Sequence, residues 1–219
     1  MPRPRWRISR RRLGNRGMSV DVYFSADVET DGAIPGPFSI LSFAFVFAGR
    51  FDGKVFERPQ NHDLTFYREL RPISNQFEPD ALRVNRLDRD RLCREGQSPE
   101  HAMGDAYKWV VNIAGPDTPV MVAYPLSFDW TFLYWYFVRY SPNGSPFGHS
   151  RCLDIKTAFA IKAGIPMAES GLNRVWPSLR PGRPHTHNAL DDAIEQAEIF
   201  ANVFEWSGAY GRHTERASY

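Results

Sequence analysis

The stretch Asp21-Val22-Tyr23-Phe24-Ser25-Ala26-Asp27-Val28-Glu29, closed by Thr30-Asp31-Gly32, decides how the chain is read. Val22, Phe24, Ala26 and Val28 share one parity, and Tyr23, Ser25, Asp27 and Glu29 share the other. That period of two predicts a first strand. Asp31-Gly32 and Pro35-Gly36-Pro37 end it. Ser39–Ala48 is rich in Phe and predicts a second strand. Arg50–Lys54 contains Asp-Gly and predicts a turn, with a hairpin partner near Phe66–Leu70.

Downstream the period changes. Pro79–Glu95 and Pro99–Ala114 are expected as helices, the second opened by Ser98 as N-cap and Pro99 as first helical residue, and stopped by Gly115-Pro116. Val120–Tyr124 predicts a short buried strand, and Phe128–Tyr140 a strongly aromatic helix. Cys152–Asp154 predicts a last short strand, leading into a helix over Lys156–Ala163. Gly164–His187 is loop, rich in Pro and Gly. Asn188–Trp206 is expected as a long helix with Leu190, Ala193, Ile194, Ala197, Phe200 and Phe204 on one stripe. Strands joined by hairpins, then helices alternating with short strands, predict an α/β domain with a mixed sheet.

Composition agrees with one such domain. The chain has 219 residues, 42% hydrophobic and 24% charged, usual for a soluble globular protein. No repeat suggests a solenoid or propeller. The longest apolar stretches, Leu41–Gly49 and Trp130–Val138, are half the ~20 residues a membrane-spanning helix needs, so no membrane partner is expected. Cys93 and Cys152 match no zinc or disulfide spacing and are expected as reduced thiols in a cytoplasmic protein. The formal charge of +2 conceals an asymmetry. Residues 1–17 carry seven arginines and no acid, which leaves 20 basic and 25 acidic residues, a net of −5, for residues 18–219. The body therefore has no global basic field to hold a phosphate backbone, and bound metal must supply local positive charge. The Arg-rich leader, residues 1–17, is expected to be disordered. It is either an arm that contacts nucleic acid or an extension upstream of Met18 as the natural start. Residues 18–207 form the expected domain, and residues 208–219 a tail.

Three groups of residues carry chemistry. Asp27 and Glu29, two apart on a strand, point to the same face, where they repel unless a hard cation sits between them. Alone, the pair is equally a solvated acidic face. Asp129 heads the aromatic helix one short turn after a buried strand. A carboxylate there also complements the helix dipole. His187-Asn188-Ala189-Leu190-Asp191-Asp192-Ala193 places an imidazole where a Pro-rich loop enters the last helix, and a carboxylate one turn inside it. The plain alternative is that His185 and His187 are loop histidines and Asp191 and Asp192 exposed helix acids.

In this order the stretches Ala26–Gly32, Ser127-Phe128-Asp129 and His187–Ala193 resemble the DEDDh family of 3′→5′ exonucleases, which includes polymerase proofreading subunits, oligoribonuclease and ribonuclease T. The resemblance covers roughly residues 20–205. It implies a ribonuclease H-like fold, a five-stranded mixed sheet flanked by helices. It places metal-binding acids on Asp27, Glu29, Asp129 and Asp192, and the catalytic histidine on His187, five residues before the last acid. It implies two Mg²⁺ or Mn²⁺ ions ~3.5–4 Å apart. Asp27 would bridge them, Glu29 and Asp192 complete one, and Asp129 hold the other largely through water. His187 would be the general base, since an ordinary imidazole near pKa ~6.5 suits proton transfer around neutral pH. Single-stranded DNA or RNA 3′ ends are the implied substrate, and nucleoside 5′-monophosphates the products. One departure stands out. Family members usually carry an Asn a few residues before the third acid, and this chain has Val122-Ala123-Tyr124-Pro125-Leu126-Ser127 there.

Substrate contacts are expected at the backbone N–H groups of Thr30, Asp31 and Gly32, and at the rings of Phe38 and Phe128, for which core packing is the alternative. Trp130, Phe132, Trp135, Tyr136 and Phe137 read as core or as a subunit interface, so a homodimer is among the expected assemblies. Two other functions fit the same acids: an endonuclease or other phosphodiesterase, and a nucleic-acid-binding subunit without catalysis.

Overall fold

The computed structural model describes residues 19–183 and 185–209. The Arg-rich leader and most of the tail lie outside them. Six strands form one mixed sheet: β1 (Asp21–Thr30), β2 (Ile40–Phe51), β3 (Phe56–Glu57), β4 (Thr65–Glu69), β5 (Thr118–Ala123) and β6 (Cys152–Asp154). β1 pairs antiparallel with β2 and parallel with β5, which pairs parallel with β6. The hairpin strand expected near Phe66–Leu70 is β4, which pairs Ser42–Val46 of β2, while the shorter β3 pairs Arg50–Phe51 further along the same edge. The two thus share one lane, and six strands fill the five lanes expected. Pro59, with no N–H to give the ladder, lies in the stretch that separates them.

Helices cover both faces: α1 (Pro79–Asn85), α2 (Arg89–Glu95), α3 (Pro99–Ala114), α4 (Leu126–Tyr140), α5 (Ile155–Ala163) and α6 (Ala189–Glu205). On one face Val22, Phe24, Ala26 and Val28 of β1 and Phe43 and Phe45 of β2 pack with α3 and α4. On the other, Tyr23, Ala44, Val46 and Ala48 pack with α5 and α6. The two faces differ in side-chain size. Ala44 and Ala48 meet an α6 that carries Ala189, Ala193 and Ala197, all buried. Small residues on both sides let α6 approach the sheet closely, and Ala44 lies directly beside Asp27 in the ladder. Most of the aromatic helix is core, since Phe132, Tyr136 and Phe137 are fully buried and Trp130 and Trp135 pack partly buried against them.

The single helix expected over Pro79–Glu95 is two. Arg86 adopts a left-handed conformation at φ 59° and ends α1, and Asp88 caps α2 by accepting from the Arg91 N–H at 2.9 Å. The break has a tertiary cause. Asn85 turns inward, donating from Nδ2 to the Thr30 carbonyl at 2.9 Å and accepting the Leu87 N–H at 3.0 Å. That clips α1 to the end of β1. Arg89 completes the junction, donating from Nε to Asp31 Oδ2 at 2.9 Å. Asp31 is wholly buried, and Arg89 nearly so. Removing one partner of such a pair leaves an uncompensated buried charge. Arg89→Leu is therefore expected to lower stability by about 3–5 kcal/mol, read as a fall in the urea midpoint at neutral pH.

Candidate active site

β1 is held by β2 along its whole length, but its parallel pairing with β5 stops at Ser25. Beyond Ser25 the two strands splay, and backbone groups of β1 that would have met β5 need other partners. Asp129, in the first turn of α4, supplies one, with its Oδ1 accepting the Val28 N–H at 3.0 Å. The start of α4 is itself pinned. Asp154 at the end of β6 accepts the Leu126 N–H on Oδ2 at 2.7 Å and caps α5 by accepting the Thr157 N–H on Oδ1 at 2.5 Å. One carboxylate thus sets the origin of two helices, and with it the depth at which Asp129 enters.

Asp192 comes from the opposite layer. Asn188 caps α6, accepting the N–H groups of Leu190 and Asp191. One turn on, Asp192 receives the Thr186 N–H on Oδ1 and the His187 N–H on Oδ2, each at 2.9 Å. The carboxylate therefore folds the incoming loop back over the helix start. That closure holds His187 at φ 57°, a left-handed backbone uncommon for a side chain of its size.

Carboxylate oxygens of Asp27, Glu29 and Asp192 lie within 4.8 Å of one another. Asp129 joins them electrostatically. Burial pushes the Glu29 carboxyl up to about 8, helped by the charges of Asp192 and Asp129. Asp27 is raised well above the usual carboxylate range by burial first, then by Asp129, Glu29 and Asp192. Burial also raises Asp129, opposed by the N–H bond from Val28. Among the described residues no Lys or Arg side chain pairs with Asp27, Glu29, Asp129 or Asp192. Hard, oxygen-rich and lacking a cationic side chain, the donor set fits Mg²⁺ or Mn²⁺, which would relieve the repulsion.

Two imidazoles border this group. His185 is engaged, its Nδ1 lying 3.1 Å from Glu195 Oε2 and 3.2 Å from Asp192 Oδ1. His187 stands against it, ring centroids 4.6 Å apart, with its side chain exposed. Of the expected substrate contacts, Phe128 is 40% exposed and rests on Phe132. Phe38 is half-buried against Gly32, where an added Cβ would fall 2.3 Å from its ring, so only glycine fits there. Asp31 departs from its expected role. Its N–H donates to the Ser39 carbonyl at 3.0 Å, and its carboxylate is taken by the Ser39 N–H and Arg89, so the N–H expected to meet the nucleotide is engaged in building the turn. Thr30 bonds within the same turn, its hydroxyl donating to the Gly32 carbonyl at 2.8 Å.

Sequence reasoning missed Glu195 and Gln196. Both are buried on α6, three and four residues after Asp192. That spacing returns a helix to the same side, and two polar residues inside an otherwise apolar stripe were the available signal.

No protein-family model matches the chain. The chain is 35% identical over 184 residues to the 3′-5′ DNA exonuclease Cap18 of Escherichia coli, covering 82% of this chain and 90% of that protein. Solved structures show the same fold at low identity. The cell-death related nuclease CRN-4 superposes with a TM-score of 0.60 at 13% identity over 86% of this chain and 64% of that longer one. The nuclease domain of 3′hExo, a DEDDh family member bound to rAMP, gives 0.58 at 13% identity over 90% of this chain and 98% of that one. The zinc-bound complex of E. coli ExoI with single-stranded DNA gives 0.54 at 14% identity over 90% of this chain and 41% of that one. A sequence likeness that spans nine-tenths of an exonuclease, carried on a ribonuclease H-like sheet, makes this chain a member of the DEDDh family of 3′→5′ exonucleases.

Proposed function

We propose that Asp27, Glu29, Asp129 and Asp192 bind two Mg²⁺ or Mn²⁺ ions, and that His187 is the general base of a 3′→5′ exonuclease acting on single-stranded DNA. The observation that carries this reading is the gathering of carboxylate oxygens of Asp27, Glu29 and Asp192 within 4.8 Å of one another, with Asp129 beside them and no Lys or Arg paired with any of the four among the described residues. Cations held by these acids would supply the charge that activates a water and stabilises the departing 3′ oxygen. The protein does the rest. Backbone N–H bonds fix the carboxylates of Asp129 and Asp192, and an Asp192 oxygen lies within 4.8 Å of oxygens of Asp27 and Glu29. His187 takes the proton from the water. The His185 ring is tied to Glu195 and Asp192, whereas no hydrogen bond to the His187 ring is made among the described residues, and the ring lies within 4.8 Å of Asp192. The products are a nucleoside 5′-monophosphate and a chain with a free 3′-OH.

The open end of β1 is the entry for the terminal nucleotide, with Phe38 and Phe128 as the rings that meet its sugar or base. DNA is preferred over RNA as the substrate class because the relative at 35% identity is a DNA exonuclease. The ExoI complex with single-stranded DNA supports a single-stranded 3′ end. Cys93 and Cys152 are both free thiols, which suits the cytoplasm, and no described helix is long and apolar enough to cross a membrane.

Digestion of 5′-labelled single-stranded DNA and RNA with Mg²⁺ is expected to give a ladder shortening from the 3′ end, faster on DNA and absent with chelator. A blocked 3′-OH is expected to stall it, and cutting of circular single strands would show an endonuclease instead. Asp27→Ala and Asp129→Asn are expected to abolish turnover while the circular dichroism spectrum stays native; wild-type turnover in either would remove these acids from the site. His187→Ala is expected to slow single-turnover hydrolysis by about 10²–10⁴.

The raised acids also fix a pH dependence. A carboxyl whose folded pKa lies above its unfolded one holds its proton more tightly when native, so its stabilising contribution is lost as pH rises. Metal-free protein is expected to melt at progressively lower temperature as pH rises from about 4.5 through about 8, the interval set by Glu29. Stabilisation by added Mg²⁺ is expected to grow over the same interval. Melts that are flat with pH, or that rise, would contradict the burial of these acids.

A further inference from the structure

We infer that Gln196 is a positioning residue that aims Asp27 at the cations, an inference that rests on the metal reading above. Its side chain is 2% exposed and both ends of its amide are used. Nε2 donates to Asp27 Oδ1 at 2.7 Å, and Oε1 accepts the Tyr124 N–H at 2.6 Å. The Tyr124 N–H fixes the orientation of the amide, because a backbone N–H can only donate, which leaves Nε2 to face Asp27. A carboxamide is suited to this place: a glutamate would accept from Tyr124 yet offer Asp27 no donor while ionised, and would add a fifth charge.

The three segments joined are those that assemble the site. Asp27 belongs to β1. Tyr124 follows β5 and leads through a short turn into α4, which carries Asp129. Gln196 itself lies one turn beyond Asp192 on α6. The turn between Tyr124 and Asp129 lacks the Asn that family members usually carry there, and in this chain an amide reaches that turn from α6.

The bond also settles which oxygen of Asp27 is free. Oδ1 is held by Gln196, which leaves Oδ2 as the oxygen that the amide does not occupy. Among the described residues the Gln196 amide is the one hydrogen-bond donor to the Asp27 carboxylate. Supporting residues that orient metal ligands commonly change metal affinity by about 10–100-fold when removed.

The test is direct Mn²⁺ binding by isothermal titration calorimetry to metal-free wild type, Gln196→Met and Gln196→Leu. Melts in chelator and kinetics on single-stranded DNA run alongside. Both variants are expected to melt cooperatively and to bind Mn²⁺ about 10–100-fold more weakly. Half-saturating Mn²⁺ for turnover is expected to rise in step, while KM for DNA stays within about twofold. A folded variant with wild-type Mn²⁺ affinity overturns the role of Gln196 and leaves the metal reading standing. Wild type that binds no Mn²⁺ overturns both. Loss of the cooperative melt in both variants would show that Gln196 holds the fold and does not aim Asp27, and would overturn the inference as well.

Discussion

Four carboxylates gathered out of water repel one another, and much of this molecule is organised around keeping them together in spite of that. Burial raises the carboxyls of Asp27, Glu29 and Asp129, and the neighbouring acids add to the rise at Asp27 and Glu29. The fold answers with backbone. The Val28 N–H holds Asp129, and the Thr186 and His187 N–H groups hold Asp192. These bonds orient the acids without bringing in a cationic side chain. The repulsion left over is what makes the site receptive to a hard divalent ion. A Lys or Arg inserted among them would ease the apo protein and spoil the site.

That arrangement depends on a sheet that opens at one point. β1 stays paired with β2 to its end while β5 leaves it after Ser25. The gap admits Asp129 from α4 on one side, while α6 brings Asp192 down on the other. The close approach of α6 follows from alanines on both surfaces, Ala44 and Ala48 on β2 and Ala189, Ala193 and Ala197 on the helix. Larger residues there would lift α6 from the sheet and carry Asp192 and Gln196 away from Asp27. The opposite face has no such demand and is filled with Phe24, Phe43, Phe45 and Phe137.

Rigidity and freedom are divided between the two histidines. His185 is anchored through its ring by Glu195 and Asp192. His187 is anchored through its backbone by Asp192 and keeps its ring exposed. The general-base role proposed for His187 rests on that division.

The sequence by itself determined most of the strands and helices that frame the candidate site. The period-two stretch at Asp21–Glu29, the buried run at Val120–Ala123 and the stripe along α6 each follow from a local repeat, and a local repeat can be read from neighbours alone. Asp27, Glu29, Asp129, His187 and Asp192 were read in another way, from the resemblance of three ordered short motifs to the DEDDh family. Tertiary structure decided the rest. The break between α1 and α2 comes from Asn85 reaching Thr30, 55 positions away. Asp31 was claimed by Arg89, 58 positions away, and Gln196 meets Asp27 across 169 positions. Hydrogen bonds between residues so far apart exist only once the sheet and helices have packed, and nothing in the spacing of a polar residue along the chain says which distant partner will take it.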